Sequence, residues 1–166
     1  FDQKLDWKEV DWIRKRWGGK LIIKGILDSE DALLAAKTGA DAIIVSNHGG
    51  RQLDGASSTI NILPEVVDKV GKLVEVHLDG GIRSGQDVIK AMCLGAKGTY
   101  IGRAFLYGLG ALGKEGVTKA LDIIKTEADM TMALCGKRDI HDLNRDNIYT
   151  PEVTRKEVGG KREGMK

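Results

Sequence analysis

Ser46-Asn47-His48-Gly49-Gly50-Arg51 sets an imidazole and a guanidinium on either side of two glycines. A His, with a reference pKa of about 6.5, suits proton transfer near neutral pH. An Arg offers a planar fork that grips a carboxylate through two hydrogen bonds. The glycines let the backbone turn tightly and approach a ligand. Together these residues describe a site for a small organic acid that must lose a proton. The competing reading is a structural turn in which His48 caps a helix and Arg51 pairs with Asp54.

Three further stretches carry chemistry. Asp79-Gly80-Gly81-Ile82-Arg83-Ser84-Gly85 and Ile101-Gly102-Arg103 are glycine-rich ends of apolar runs. Turns of this kind, opening onto helix N-termini, present backbone N–H groups and a positive dipole end to an anion. Arg83 and Arg103 add charge, and Asp79 can accept hydrogen bonds from sugar-like hydroxyls. Ordinary turns with solvated arginines are the plainer alternative. Lys24 ends an otherwise apolar run, where an ammonium is costly unless it meets a partner or ligand or reaches the rim.

The elements that position these residues follow from periodicity. Short β-branched runs predict strands at Leu21–Ile26, Ala42–Ser46, Leu73–Leu78 and Gly98–Ile101. Between them lie amphipathic stretches. One is capped by Asp28 or Ser29 and stops at Gly39. A second carries Ile60, Leu63, Val66, Val67 and Val70. A third starts with Ser84 and Asp87 and closes at Gly95, and a longer final one carries Val117, Leu121, Ile124 and Ala128. Four strand–helix repeats imply a parallel α/β sheet with right-handed crossovers. Lys24, Ser46-Asn47-His48, Asp79-Gly80-Gly81 and Gly102-Arg103 all fall at the C-terminal ends of strands, the edge where α/β proteins place their chemistry. Spacing alone fits four strands of an open sheet as well as half of an eight-stranded barrel.

Composition bounds the function classes. The chain has 166 residues, 42% hydrophobic and 30% charged, with a net charge of +2. That is enough for one ordinary folded domain and too little charge for a nucleic-acid partner. No apolar run reaches the ~20 residues of a membrane span. Cys93 and Cys135, each in an apolar helical stretch, read as small core residues kept reduced, not as metal ligands. His77 alternates with Glu75 and Asp79 and is expected to point the same way, packed and hydrogen-bonded. His141 is expected at the surface. Trp7, Trp12 and Trp17 recur every five residues, two of them packing a helix. Residues 149–166 are charged and aperiodic, and read as a mobile tail following a domain of residues 1–148.

The sites, in this order, resemble the FMN-dependent 2-hydroxy-acid oxidoreductases, the family of glycolate oxidase, L-lactate dehydrogenase and mandelate dehydrogenase. The matching text is Ile23-Lys24-Gly25, Ser46 through Asp54, Asp79 through Arg83, and Leu94-Gly95-Ala96 through Ile101-Gly102-Arg103. The bacterial L-lactate dehydrogenases are the nearest branch, through Gly25-Ile26-Leu27-Asp28 and Gln52-Leu53-Asp54-Gly55. The resemblance implies a TIM (β/α)8 barrel, of which this chain is the C-terminal half, strands five to eight. It implies FMN as cofactor and oxidation of an L-2-hydroxy acid, L-lactate above all, with quinone, cytochrome or oxygen as electron acceptor. It casts His48 as general base and Arg51 as the carboxylate ligand. Lys24 and Ser46 are assigned to the flavin, Asp79 to the ribityl hydroxyls, and Gly80, Gly81, Ile82, Arg83, Gly102 and Arg103 to the phosphate end. A homotetramer, a cytoplasmic location or the inner membrane face, and a missing N-terminal half as partner follow from the same likeness. This piece alone is then expected not to turn over lactate. The rival readings are another flavin-dependent barrel chemistry, such as an isomerase, and a non-enzymatic scaffold retaining idle site residues.

Overall fold

A computed structural model describes residues 4–149. The charged segment expected to form a tail lies, from residue 150 on, outside the described residues. Helix α1 (Trp7–Trp17) precedes strand β1 (Ile22–Ile26), helix α2 (Ser29–Lys37) and strand β2 (Ala42–Val45). Helix α3 (Thr59–Val70), strand β3 (Glu75–Asp79), helix α4 (Gly85–Cys93), strand β4 (Gly98–Tyr100) and helix α5 (Arg103–Leu134) follow. The four strands are parallel and adjacent in chain order. Their registers align Lys24 with Ile44, Ile44 with His77, and His77 with Gly98.

The alternation that predicts strands also sorts their faces. Ile43, Val45, Val76 and Leu78 point toward the helices and are fully or almost fully buried, joining Ala32 and Ala35 of α2, Leu63, Val66 and Val70 of α3, and Ala91 of α4. Each large apolar side chain among them contributes about 1.5–3 kcal/mol by leaving water. The opposite face carries Ile22, Lys24, Ala42, Ile44, Glu75, His77, Asp79 and Tyr100, because side chains two residues apart share a face. It is therefore the face on which a polar site can be built.

The caps expected at Asp28 and Ser84 hold, and the structure adds one at Asp6. Asp6 closes a capping box with Glu9, Asp28 accepts from the N–H groups of Glu30 and Asp31, and Ser84 closes a box with Asp87. Three expectations need correction. Strand β3 begins at Glu75, not Leu73, and the Leu73 side chain is exposed. Cys93 is buried, but Cys135 lies at the exposed C-cap of α5 rather than in the core. Of the three tryptophans on α1 only Trp7 packs against the core, while Trp12 and Trp17 are exposed. His141 is exposed, as expected.

Helix α5 begins directly after β4 and breaks at Leu112 and Gly113, whose backbone angles leave the helical region. The chain then folds back, pressing the backbones of Gly108 and Gly116 together with no space for a side chain at either. The second stretch lies along α4, where Gly85 meets the backbone of Ile124 and Ala128. The carboxylate of Glu127 accepts a hydrogen bond from the Gly85 N–H at 2.8 Å. Gly110, by contrast, has open space around the position of a Cβ.

These two glycines should respond in opposite directions. Gly85→Ala forces the α4–α5 backbones apart and is expected to destabilise by about 2–3 kcal/mol. Gly110→Ala relieves a helical glycine and should stabilise by about 0.5–1 kcal/mol. Urea unfolding of both variants checks the pair, and equal responses would contradict this packing.

Candidate active site

The C-terminal ends of β1, β2 and β3 are tied by one polar cluster. The Lys24 ammonium lies 2.8 Å from Asp79 Oδ2 and donates to Ser46 Oγ at 3.1 Å. Ser46 is fully buried, and its hydroxyl donates to Asp79 Oδ2 at 2.8 Å. It also accepts the backbone N–H of His48 at 3.1 Å. The charge in an apolar strand thus meets a counter-charge within the chain. Burial pushes the Asp79 carboxyl up, but hydrogen bonds from Lys24 and Ser46, with the Lys24 charge, outweigh it and leave its pKa below the usual value.

His48 follows from a bulge in the neighbouring strand. The β1–β2 register shifts between Lys24 and Ile26, with Gly25 at φ 104°. A Cβ on Gly25 would stand 2.9 Å from His48 Cε1, so the missing side chain is the space the imidazole occupies. His48 is itself left-handed, at φ 55°, and Gly49 and Gly50 continue that conformation. A non-glycine residue held there costs roughly 1–2 kcal/mol, and such strain collects at functional positions. The Asn47 side chain, not His48, caps the short 3₁₀ turn His48–Gly50, accepting from the Gly49 N–H at 3.0 Å. Arg51 forms no pair with Asp54, whose carboxylate accepts instead from the Gly55 N–H. The purely structural reading of this stretch therefore fails at both of its contacts.

Lys24, His48, Arg51, Asp79, Gly80, Gly81, Ile82, Arg83, Gly102 and Arg103 line one cleft of about 220 Å³. Ser46, fully buried, does not line it but is bonded to Lys24 and Asp79, which do. A second, adjoining cleft of about 420 Å³ shares Gly80, Gly81, Ile82, Arg83 and Arg103 and continues past Asn47 and Thr59. Arg103 bridges the two sides by donating to the Gly49 carbonyl at 3.2 Å. The candidate catalytic, substrate and cofactor residues other than Ser46 therefore share one cleft.

The two glycine-rich turns differ in what they offer an anion. The N–H groups of Arg83 and Ser84 are taken by Asp87, that of Asp87 by Ser84, and that of Gly85 by Glu127. Helix α4 thus caps itself, against the expectation that its N-terminus is open. Helix α5 starts at Gly102 with no side-chain cap, beside Arg103. Gly80 and Gly81, both with positive φ, face it across the cleft. Tyr100, which the sequence reading passed over, lines the same cleft.

The fold is part of a TIM-barrel flavoenzyme. Residues 1–150 match the FMN-dependent dehydrogenase family, and the chain belongs to it. An L-lactate dehydrogenase of Caulobacter vibrioides is 51% identical over 155 residues, covering 93% of this chain and 40% of that protein. One from Actinobacillus pleuropneumoniae is 50% identical over 89% of this chain and 39% of its own length. Among solved structures, the monotopic membrane protein (S)-mandelate dehydrogenase superposes with a TM-score of 0.86 at 43% identity, over 89% of this chain and 39% of that one. A mandelate oxidase variant with a monooxide FMN adduct gives 0.79 at 43% identity, over 82% of this chain and 43% of its own. The chain thus spans about two fifths of the length of these relatives. FMN is the cofactor of the family. The open N-terminus of α5, the side-chain-free Gly80–Gly81 turn and the polar line Lys24–Ser46–Asp79 fit its anionic and polar parts.

The depressed Asp79 pKa has a sign that can be tested. Its contribution to stability is full above the unfolded carboxyl value of 3.8 and is lost as pH falls through the lower folded value. Asp79→Asn should cost about 1–2 kcal/mol at pH 6, the lower end reflecting the partly exposed Lys24. The gap should shrink below about pH 3.8. Denaturant unfolding across that range decides it, and a gap independent of pH would exclude the ion pair.

Proposed function

We propose that this chain carries the proton-abstracting and carboxylate-binding half of an L-2-hydroxy-acid dehydrogenase site, with L-lactate as the substrate. The observation that carries this reading is the shared cleft: His48 and Arg51 open onto the space lined by Lys24 and Asp79. When bound, FMN supplies the two-electron acceptor.

Arg51, unpaired among the described residues, is free to hold the substrate carboxylate through its fork. With the acid so anchored, His48 takes a proton from the substrate, and the Gly25 gap keeps its imidazole turned to the cleft. Lys24 places positive charge beside the cofactor's pyrimidine edge, held there by Ser46, whose single proton goes to Asp79. Asp79 serves the ribityl hydroxyls. Gly80, Gly81, Ile82, Arg83, Gly102 and Arg103 hold the phosphate end, with the free N–H groups at the start of α5 as its main ligands. The dehydrogenase reading is preferred to an oxidase because the L-lactate relatives bear that name. Among the described residues no helix is long and apolar enough to cross a membrane. With a monotopic mandelate dehydrogenase among its neighbours, peripheral attachment to the inner membrane face is the location proposed. The remaining strands of the barrel, and a tetrameric assembly, belong to the same proposal.

The test is a chimera in which residues 4–149 replace the matched segment of a full-length L-lactate dehydrogenase. Anaerobic L-lactate should bleach its flavin absorbance. His48→Gln should lower kcat by about 10²–10⁴ while FMN stays bound. Arg51→Lys should act chiefly by raising KM, about ten-fold or more, since an ammonium cannot replace the fork. A His48→Gln enzyme within a factor of three of its parent would remove the imidazole from the reaction.

A further inference from the structure

On the cleft face of β3, below Asp79, a second polar line is built that the assignments above leave unused. His77 Nε2 lies 3.3 Å from Glu75 Oε2, and His77 Nδ1 lies 3.1 Å from Tyr100 Oη. The imidazole and phenol rings stack with centroids 5.8 Å apart at 28°. Gly98, the β4 partner of His77, makes this possible: a Cβ there would stand 3.3 Å from Nδ1, tighter than side chains ordinarily tolerate. Tyr100 is the β4 partner of Asp79 and lines the cleft with Lys24, His48 and Arg51. The line therefore runs from the wall of the site along the sheet to Glu75.

We propose that Tyr100 is a further ligand-contacting residue of this site, and that His77, oriented by Glu75, is the positioning residue that sets whether its hydroxyl donates or accepts. The proposal rests on the cofactor reading above for its ligand, the acceptor-rich ring edge of a flavin. A carboxylate can only accept, so Glu75 draws the proton of a neutral imidazole to Nε2. Nδ1 is then an acceptor, Tyr100 donates its O–H to it, and the phenol oxygen offers only lone pairs to the cleft. When His77 is protonated, both ring nitrogens donate. Nδ1–H then points at Tyr100 Oη, and the phenol proton is released to a ligand in the cleft.

The ionisable side chains sharing this face are Glu75 and Asp79 on β3, Lys24 on β1 and Tyr100 on β4, and β2 contributes only Ala42, Ile44 and Ser46. Lys24 and Asp79 already neutralise each other. Imidazole is the side chain that ordinarily changes charge between pH 5 and 8, so the tyrosine's role should follow pH. The sign is fixed: a ligand presenting acceptors binds more tightly when His77 is protonated.

Two measurements, made in the chimera described above, test this. Nitrogen-15 NMR of His77 without ligand should show the Nε2–H tautomer at pH 8, and Tyr100→Phe should move its titration midpoint. A mixed tautomer with an unmoved midpoint overturns the proposal. FMN affinity, read by flavin fluorescence at pH 8 and pH 5.5, should rise about five-fold more in the unsubstituted chimera than in Tyr100→Phe or His77→Gln. The comparison cancels the titration of the FMN phosphate itself, and circular dichroism establishes that both variants fold. Equal pH ratios in the three proteins overturn the proposal while leaving the cofactor reading intact. Failure of the unsubstituted chimera to bind FMN overturns the cofactor roles given to these residues and, with them, the ligand named for Tyr100.

Discussion

One buried hydroxyl governs the geometry of the site. Ser46 Oγ accepts from the Lys24 ammonium and the His48 N–H and donates to Asp79. A hydroxyl has one proton to give and two lone pairs to fill, so this environment satisfies it completely. Because Ser46 is wholly buried, losing any one partner would leave a polar atom unpaired in a place water does not reach, a cost of about 1–3 kcal/mol. Three strand ends and the start of the His48 turn are therefore held in one arrangement. A serine, rather than a threonine with its extra methyl or a cysteine with its weak donor, suits a position at which three groups converge.

That arrangement also distributes charge. Lys24 and Asp79 form a close pair, so the floor of the cleft is polar but close to neutral. Arg51 and Arg83, which form no ion pair among the described residues, and Arg103, which meets only a carbonyl, leave the rim positive. A ligand with a carboxylate at one end or a phosphate at the other is drawn to opposite sides of the same opening, while an uncharged ring meets hydrogen-bonding groups between them. The division follows from which arginines lack a carboxylate, not from their number.

Much of this was legible in the residues, and what was not has identifiable causes. The strands emerged within a residue or two because β-branched runs such as Ala42-Ile43-Ile44-Val45 admit little else. Leu73 misled because an apolar residue beside a strand looks like its first member, whereas it is exposed ahead of Glu75. The reversal inside α5 depends on Gly108 and Gly116 meeting across a break, a contact no single-helix period reveals. Within the site, residue types gave candidates for proton transfer and carboxylate binding. Their support was invisible: the gap at Gly25 that admits the imidazole, and the register that sets Lys24 beside Asp79, are relations between strands. Tyr100 drew no notice because a tyrosine in a short strand is ordinarily a packing residue, and only the pairing of β3 with β4 places it beside the site.

The helix ends show how similar sequence signals part company in space. Both α4 and α5 follow a strand through glycines and an arginine, and both promise a positive N-terminus. At α4 the promise is spent internally: Ser84 and Asp87 close a box that was readable in advance, and Glu127 arrives from α5 to take the remaining Gly85 N–H. Two carboxylates at one helix end leave little to attract a phosphate and something to repel it. At α5 the N-cap is Gly102, which has no side chain to cap with, so the first turn's N–H groups stay available beside the Arg103 guanidinium. Glu127 thus does more than lock two helices together. By satisfying α4 it leaves the start of α5 as the uncapped helix end beside the Gly80–Gly81 turn.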